Sequence, residues 1–272
     1  SREDFTLRVW DLATGQCLKI LKWYSGALRQ VALNDDGRAV LAFGDRDNTL
    51  RVWDLETGEC LKVLKGHTSY VTHVALTDDG RVVSASSDGS LRVWDLETGE
   101  CLKVLKGHTR SVHYVALTDD GRAVSASEDK TLRVWDLATG QCLKVLEGHT
   151  DQVRHIALTG NGRVVSASGD KTLRVWDPET GRCLKVLEGH TQSVRHVTLT
   201  GDGRAVSTSS DNTIRVWDLE VEMVKCQKVL KWHTSRLHHV ALTGDGRAIS
   251  ASSDNTLRSE ERRVGKECRS RW

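Results

Sequence analysis

Five residues, Leu-Arg-Val-Trp-Asp, recur at 7–11, 50–54, 91–95, 132–136 and 173–177, and once more at 214–218 with Ile for Leu. The tryptophans Trp10, Trp53, Trp94, Trp135, Trp176 and Trp217 lie 43, then 41, 41, 41 and 41 residues apart. A fixed period near 40 commits a chain to an array of like units, each burying its faces against its neighbours. With 272 residues, a single globular core is therefore the wrong expectation.

One unit, 67–106, shows the grammar. Val71–Leu76 is a short apolar run, and Thr77-Asp78-Asp79-Gly80 is a turn with Gly available for positive φ. Two further runs, 82–86 and 91–96, are separated by Ser87-Asp88-Gly89; Glu97-Thr98-Gly99 then leads into 101–105. Four strands with tight turns predict an antiparallel meander, and no stretch offers ten residues of helical period. Such a sheet is too small to bury its faces alone. Radial stacking covers both faces, which predicts an all-β fold, a β-propeller of four-stranded antiparallel blades.

The pairs Gly66-His67, Gly107-His108, Gly148-His149 and Gly189-His190 precede each Trp-Asp at a near-constant interval. With six Trp-Asp pairs in phase, residues 4–257 resemble the WD-repeat family. The resemblance implies a structural tetrad linking the histidine, a second-strand Ser, a turn Asp and the third-strand Trp. The matching residues are His67, Ser84, Asp88 and Trp94; His108, Ser125, Asp129 and Trp135; His149, Ser166, Asp170 and Trp176; and His190, Ser207, Asp211 and Trp217. Ser, His and Asp also make hydrolytic triads, but four equal copies, each with a Trp, read as struts. No catalytic site, metal site or cofactor is expected.

Two repeats depart. Trp23-Tyr24 replaces Gly-His, and Leu41 stands where Ser is expected, although Asp47 and Trp53 are kept; this should be the loosest complete blade. At 232–233 the pair is Trp-His, and 220–227 lengthens the preceding turn by two residues. Counting gives five complete blades, an N-terminal piece with a third and fourth strand, and a C-terminal piece with a first and second. Pairing of those pieces would give six-bladed closure; family rings of seven or more are the alternative. Residues 258–272, Arg-Ser-Glu-Glu-Arg-Arg-Val-Gly-Lys-Glu-Cys-Arg-Ser-Arg-Trp, follow codon for codon the in-frame translation of a common short-read sequencing adapter. They are expected to be a non-native, disordered tail, with 1–257 the propeller and both ends truncated.

Repeats agree at strands and turns and differ in the loop after each His. One set is Ala27, Tyr70, Ser111, Gln152, Ser193 and Arg236; a second is Arg29, Thr72, His113, Arg154, Arg195 and His238; a third is Arg46, Ser87, Glu128, Gly169, Ser210 and Ser253. Propeller geometry puts all three on one face, where the resemblance implies that partners dock. Variation on a fixed scaffold suits recognition. The partner-binding candidates are Arg29, Arg46, Tyr70, Thr72, His113, Glu128, Gln152, Arg154, Arg195, Arg236 and His238. The second set is basic although the formal net charge is only +2. That points to a protein or peptide partner, acidic or phosphorylated, with solvation of the rim as the plainer reading.

His73, His155, His196 and His239, with Gln30 and Tyr114, begin the innermost strands and read as polar packing at blade junctions rather than a metal site. Lys19, Lys62, Lys103, Lys144, Lys185 and Lys228 read as edge protection. Nucleic acid is not expected, because no aromatic platform interleaves with these lysines. No apolar run has the length of a membrane helix, so no membrane partner is expected. One cysteine per repeat, at 17, 60, 101, 142, 183 and 226, reads as a small buried hydrophobe in a reducing, cytoplasmic setting. The expected function is a non-catalytic scaffold for protein–protein interaction. The alternative is a ligand-sensing propeller of a larger microbial signalling protein, with an NTPase or kinase domain outside this stretch.

Overall fold

The computed structural model describes residues 5–11, 13–23, 28–34, 36–43, 48–220, 226–231, 233–243, 248–254 and 257–259. Ala27, Arg46, Asp47, Tyr24, Trp232, 221–225 of the lengthened turn and 260–272 of the tail lie outside the described residues. Every described element is a strand. β1 (Phe5–Trp10) and β2 (Cys17–Trp23) pair as a two-stranded sheet. Five four-stranded sheets follow. The first is β3 (Leu28–Leu33), β4 (Arg38–Phe43), β5 (Leu50–Asp54) and β6 (Cys60–Leu64), and the second β7 (Val71–Leu76), β8 (Arg81–Ser86), β9 (Ser90–Asp95) and β10 (Cys101–Lys106). The third is β11 (Val112–Leu117), β12 (Arg122–Ser127), β13 (Leu132–Asp136) and β14 (Cys142–Leu146), and the fourth β15 (Val153–Leu158), β16 (Val164–Ser168), β17 (Leu173–Trp176) and β18 (Cys183–Leu187). The fifth is β19 (Val194–Leu199), β20 (Ala205–Ser209), β21 (Ile214–Trp217) and β22 (Cys226–Leu230). β23 (Leu237–Leu242), β24 (Ala248–Ser252) and β25 (Leu257–Ser259) form a three-stranded sheet. Within each sheet the strands follow chain order, as in a meander.

The C-terminal piece thus carries a third strand where two were expected. Ile249 pairs with Ser259 and Ser250 with Arg258, so the first two residues assigned to the tail continue the repeat's pairing. β25 fills the edge of β24 that pairing with the N-terminal piece would have needed, and β1–β2 is a sheet by itself among the described residues.

The chain forms two compact units: Ser1–Ser125 with Trp135–Leu143, and Ala126–Val134 with Lys144–Trp272. In the first, successive sheets share cores. Val40, Leu50, Val52 and Leu64 meet Val71, Val74, Val82 and Trp94. Val83, Leu91, Val93 and Leu105 meet Val112, Val115 and Trp135. Leu21 of β2 packs with Leu41, Phe43 and Trp53. In the second unit, Val165, Leu173 and Leu187 meet Val194, Val197 and Trp217, and Val206, Ile214 and Leu230 meet Leu237 and Val240. Second strands such as β8 are covered on both sides, so they are small and apolar without alternation.

Outermost strands have a free edge, and this corrects the reading of the cysteines. Cys17, Cys60 and Cys142 are exposed; Cys101, Cys183 and Cys226 are half-buried, and all six are free thiols. Each of Cys17, Cys60, Cys101, Cys183 and Cys226 opposes its repeat's Trp at a β-bulge. The bulge pushes Leu18, Leu61, Leu102 and Leu184 outward, where all four are exposed.

The turns after β8, β12, β16 and β20 each hold a left-handed residue. Gly89 supplies it at φ 80°, but Lys130 (72°), Lys171 (74°) and Asn212 (64°) occupy the same place in their repeats. An L-residue there costs about 1–2 kcal/mol, against roughly 0.5–1 kcal/mol of extra chain entropy for Gly. Lys171→Gly is therefore expected to stabilise by about 0.5–1 kcal/mol, read as a higher urea midpoint at unchanged slope. A lower midpoint would show that the lysine side chain outweighs its backbone strain.

Candidate functional site

The tetrad residues are brought together by the meander. In the second sheet the Trp94 Nε1–H donates to Ser84 Oγ at 2.8 Å, and Ser84 Oγ lies 2.8 Å from His67 Nε2. His67 Nδ1 is 2.8 Å from Asp88 Oδ2. An indole can only donate, so Ser84 Oγ accepts from Trp94, and its own O–H has the Arg92 carbonyl 3.5 Å away besides the His67 ring. The His67 ring thus joins Ser84 to Asp88, and the four side chains form one continuous buried chain of polar contacts from Trp94 to Asp88. Asp88 also accepts from the Thr68 and Ser90 amides.

His149, Ser166, Asp170 and Trp176 repeat this geometry at 2.7, 2.7 and 2.8 Å, and His190, Ser207, Asp211 and Trp217 at 2.8 Å throughout. His108 and Trp135 reach Ser125 at 2.7 and 2.8 Å, while Thr131 donates to Asp129. Burial holds the imidazoles of His149 and His190 below their ordinary pKa, although the Asp partner of each pulls the other way. Burial opposes ionisation of Asp170 too, but hydrogen bonds from His149, Thr172 and the Thr150 amide outweigh it and keep the carboxyl well below its usual range.

Sequence reading missed one network. His233 Nδ1 is 2.9 Å from Asp254 Oδ2 and its Nε2 2.8 Å from Ser250 Oγ. The signal was present, since Ser and Asp follow His by 17 and 21 residues here as in the other repeats. The sheet β3–β6 departs as its sequence does. Leu41 is fully buried at the Ser position, and the buried Trp53 indole N–H has no partner among the described residues.

The glycine of each Gly-His pair has a packing cause. A Cβ on Gly66 would lie 2.5 Å from Arg92 Nη1, and one on Gly148 2.5 Å from Arg174 Nη1. The Arg of Leu-Arg-Val-Trp-Asp thus folds over that glycine, which explains why the two motifs travel together.

The family model described as "WD domain, G-beta repeat" matches residues 15–54, 58–95 and 224–259, and one described as "WDR41", a β-propeller, matches 100–232. The chain is a WD-repeat protein. It is also similar to the nuclear distribution protein PAC1-2 of Uncinocarpus reesii (strain UAMH 1704), 45% identical over 42 residues, 15% of this chain. The chain covers 9% of that relative's length. WD-repeat propellers are in general non-catalytic interaction scaffolds. The tetrad serines fit that role: Ser84, Ser125, Ser166 and Ser207 are fully buried. Among the described residues no group of three or more His, Cys, Asp and Glu side chains is arranged to hold a metal.

In four of the described sheets the variable positions of the WD repeats meet at one end. The Ser87 amide donates to the Tyr70 carbonyl, Gly169 to Gln152, Ser210 to Ser193 and Ser253 to Arg236, at 2.8–2.9 Å. These bonds join the first and third sets directly. The second set is placed by a β-bulge in the first strand. Val71 pairs with Ser86 and His73 with Ala85, leaving Thr72 as the extra residue; Arg29, Arg154, Arg195 and His238 sit in the same way. A bulge re-aims its extra side chain.

Their uses differ. Thr72 Oγ1 lies 3.0 Å from the Ala85 carbonyl and 2.6 Å from that of Val112, so this hydroxyl is committed inside the fold. Arg29 lies over the exposed Tyr70 ring, 5.7 Å from its centroid. Arg154 Nε–H donates to Ser193 Oγ at 3.0 Å and Arg195 Nε–H to Ser210 Oγ at 2.8 Å; His238 Nε2 is 2.5 Å from Ser253 Oγ. Glu128 and Asp151 act electrostatically on Arg154, and Gln152 and His113 are half-buried. Arg236 is exposed. Burial lowers the pKa of Arg154 and Arg195, and their mutual repulsion and that of Arg236 add to the shift for Arg195.

The aromatic residues near the start of the first strands stack within each unit. In the first unit His73 lies 3.7 Å from Tyr114 between ring centroids, and Gln30 Nε2 is 3.0 Å from His73 Nε2. In the second, His155 and His196 stack at 3.7 Å and His196 and His239 at 4.1 Å.

Proposed function

We propose that this WD-repeat chain is a non-catalytic scaffold that docks an acidic or phosphorylated peptide on the loops that follow the tetrad histidines of its second unit. One observation carries the reading: in three successive repeats of the second unit the variable positions meet at one end of the sheet, and Arg154, Arg195 and Arg236 bring positive charge there. Gln152, Glu128 and His238 of the same unit supply the varied surroundings that selectivity needs. Binding on rigid strands and bulges loses little entropy on ordering. The free thiols suit a reducing compartment, and we place the protein in the cytoplasm.

The test is a panel of acidic peptides, phosphorylated and not, bound to the immobilised chain. The double substitution Arg154→Glu with Arg195→Glu should weaken binding at least about 10-fold. Unchanged affinity would reduce these arginines to a solvated rim.

A further inference from the structure

We propose that Arg154 and Arg195, oriented by Ser193 and Ser210, form a clamp for the phosphate dianion of a phosphorylated side chain, with Arg236 as the third cation. The proposal rests on the peptide-docking reading above and narrows it to one ligand chemistry.

Three observations support it. The first is orientation. Each of Arg154 and Arg195 is the extra residue of a β-bulge and each gives its Nε–H to a serine. Ser193 belongs to the repeat after that of Arg154, so the first bond also ties two neighbouring sheets. A guanidinium fixed through Nε has its planar fork set by the protein before any ligand arrives. Among the described residues neither fork makes a further hydrogen bond through its Nη atoms.

The second is charge. Arg195 feels Arg154 and Arg236 as like charges, and Arg154 feels Arg236. The acidic groups acting on Arg154 are Asp151 and Glu128, whereas among the described residues none acts on Arg195. Gathering cations on partly buried stems is unfavourable without an anion, so an anion that binds here relieves repulsion already built into the fold.

The third is valence. A carboxylate has one charge and two oxygens, which a single fork satisfies. Two forks from adjacent sheets and a third cation exceed that. A phosphoryl group, with close to two charges and three terminal oxygens at neutral pH, matches them.

The probes are inorganic phosphate and phenyl phosphate, compared with acetate at equal ionic strength and pH 7.5, with the melting temperature of the whole chain as readout. Phosphate and phenyl phosphate should raise it saturably and acetate should not. Arg195→Gln should weaken the phosphate effect about 10-fold, with circular dichroism unchanged. Ser210→Ala, which keeps the charge and frees the fork, should weaken it several-fold. Equal shifts with acetate, or a full phosphate response in Arg195→Gln, would overturn the clamp. If acidic peptides bind in an Arg154- and Arg195-dependent way while phosphate does nothing, peptide docking survives and the clamp falls. If phosphate binds as described and no peptide does, the clamp stands and peptide docking falls.

Discussion

Lowering the pH from 7.5 to 5 should destabilise each of the two units by at least about 2 kcal/mol, because each carries a stacked histidine that the fold keeps neutral. Burial pushes His73 and His196 from 6.5 down to about 3, and the neighbouring His239 charge adds to the shift for His196. At His73 the cause is visible in the hydrogen bonds. Gln30 Oε1 accepts the Val74 amide at 2.6 Å, which turns the Gln30 amino group toward His73 Nε2. A proton on that nitrogen would set donor against donor. The groups facing His196 from the adjacent inner strands are His155 and His239, and neither offers negative charge.

The sign follows from where protons bind. Between pH 6.5 and 3 the unfolded histidine is protonated and the folded one is not, so the unfolded state gains protons and stability falls with pH. The contribution is fully present above 6.5. At pH 5 the loss is 1.5 pH units at about 1.4 kcal/mol each, roughly 2 kcal/mol per histidine. His149, His190 and His239 have lowered pKa values as well and add in the same direction. Asp88, Asp170 and Asp211, held below the ordinary carboxylate pKa, begin to cost stability only as the pH falls below about 4. Urea midpoints across pH 5–7.5 measure the slope. His73→Gln with His196→Gln, using the residue that Gln30 supplies in its own repeat, should flatten it. A slope unchanged in the double variant would move the acid sensitivity elsewhere.

Removing one hydroxyl should cost more than protonating one of these histidines at pH 5. Ser84→Ala leaves the Trp94 indole N–H and the His67 Nε2 without the partner that joins them, both in a dry interior. Each buried group left unsatisfied costs about 1–3 kcal/mol, so about 3 kcal/mol is expected for the pair. Trp53→Phe in the same unit is the control. The Trp53 indole N–H already lacks a partner among the described residues, so losing it removes a desolvation penalty along with some apolar area. The expected cost is below about 1 kcal/mol. Urea denaturation followed by circular dichroism compares the two, and equal losses would mean that the tetrad bonds contribute nothing beyond packing.

The sequence determined the repeat, the four-strand unit, the residues of the tetrads and the positions free to vary. These are encoded inside one repeat, where His, Ser, Asp and Trp are separated by short turns and the chain brings them together by local pairing alone. Even the network at His233 was legible through its spacing, and Leu41 at the Ser position takes away the acceptor that the Trp53 indole lacks. Tertiary structure alone decided the rest. The bulges that aim Arg154 and Arg195, the serine of the next repeat that holds Arg154, the stacking of His73 on Tyr114, the outward-facing cysteines and the pairing of 257–259 with β24 depend on register shifts or on residues some 40 positions apart. Periodicity fixes which residues are equivalent, but it carries no record of which neighbour each one meets when two sheets close on each other.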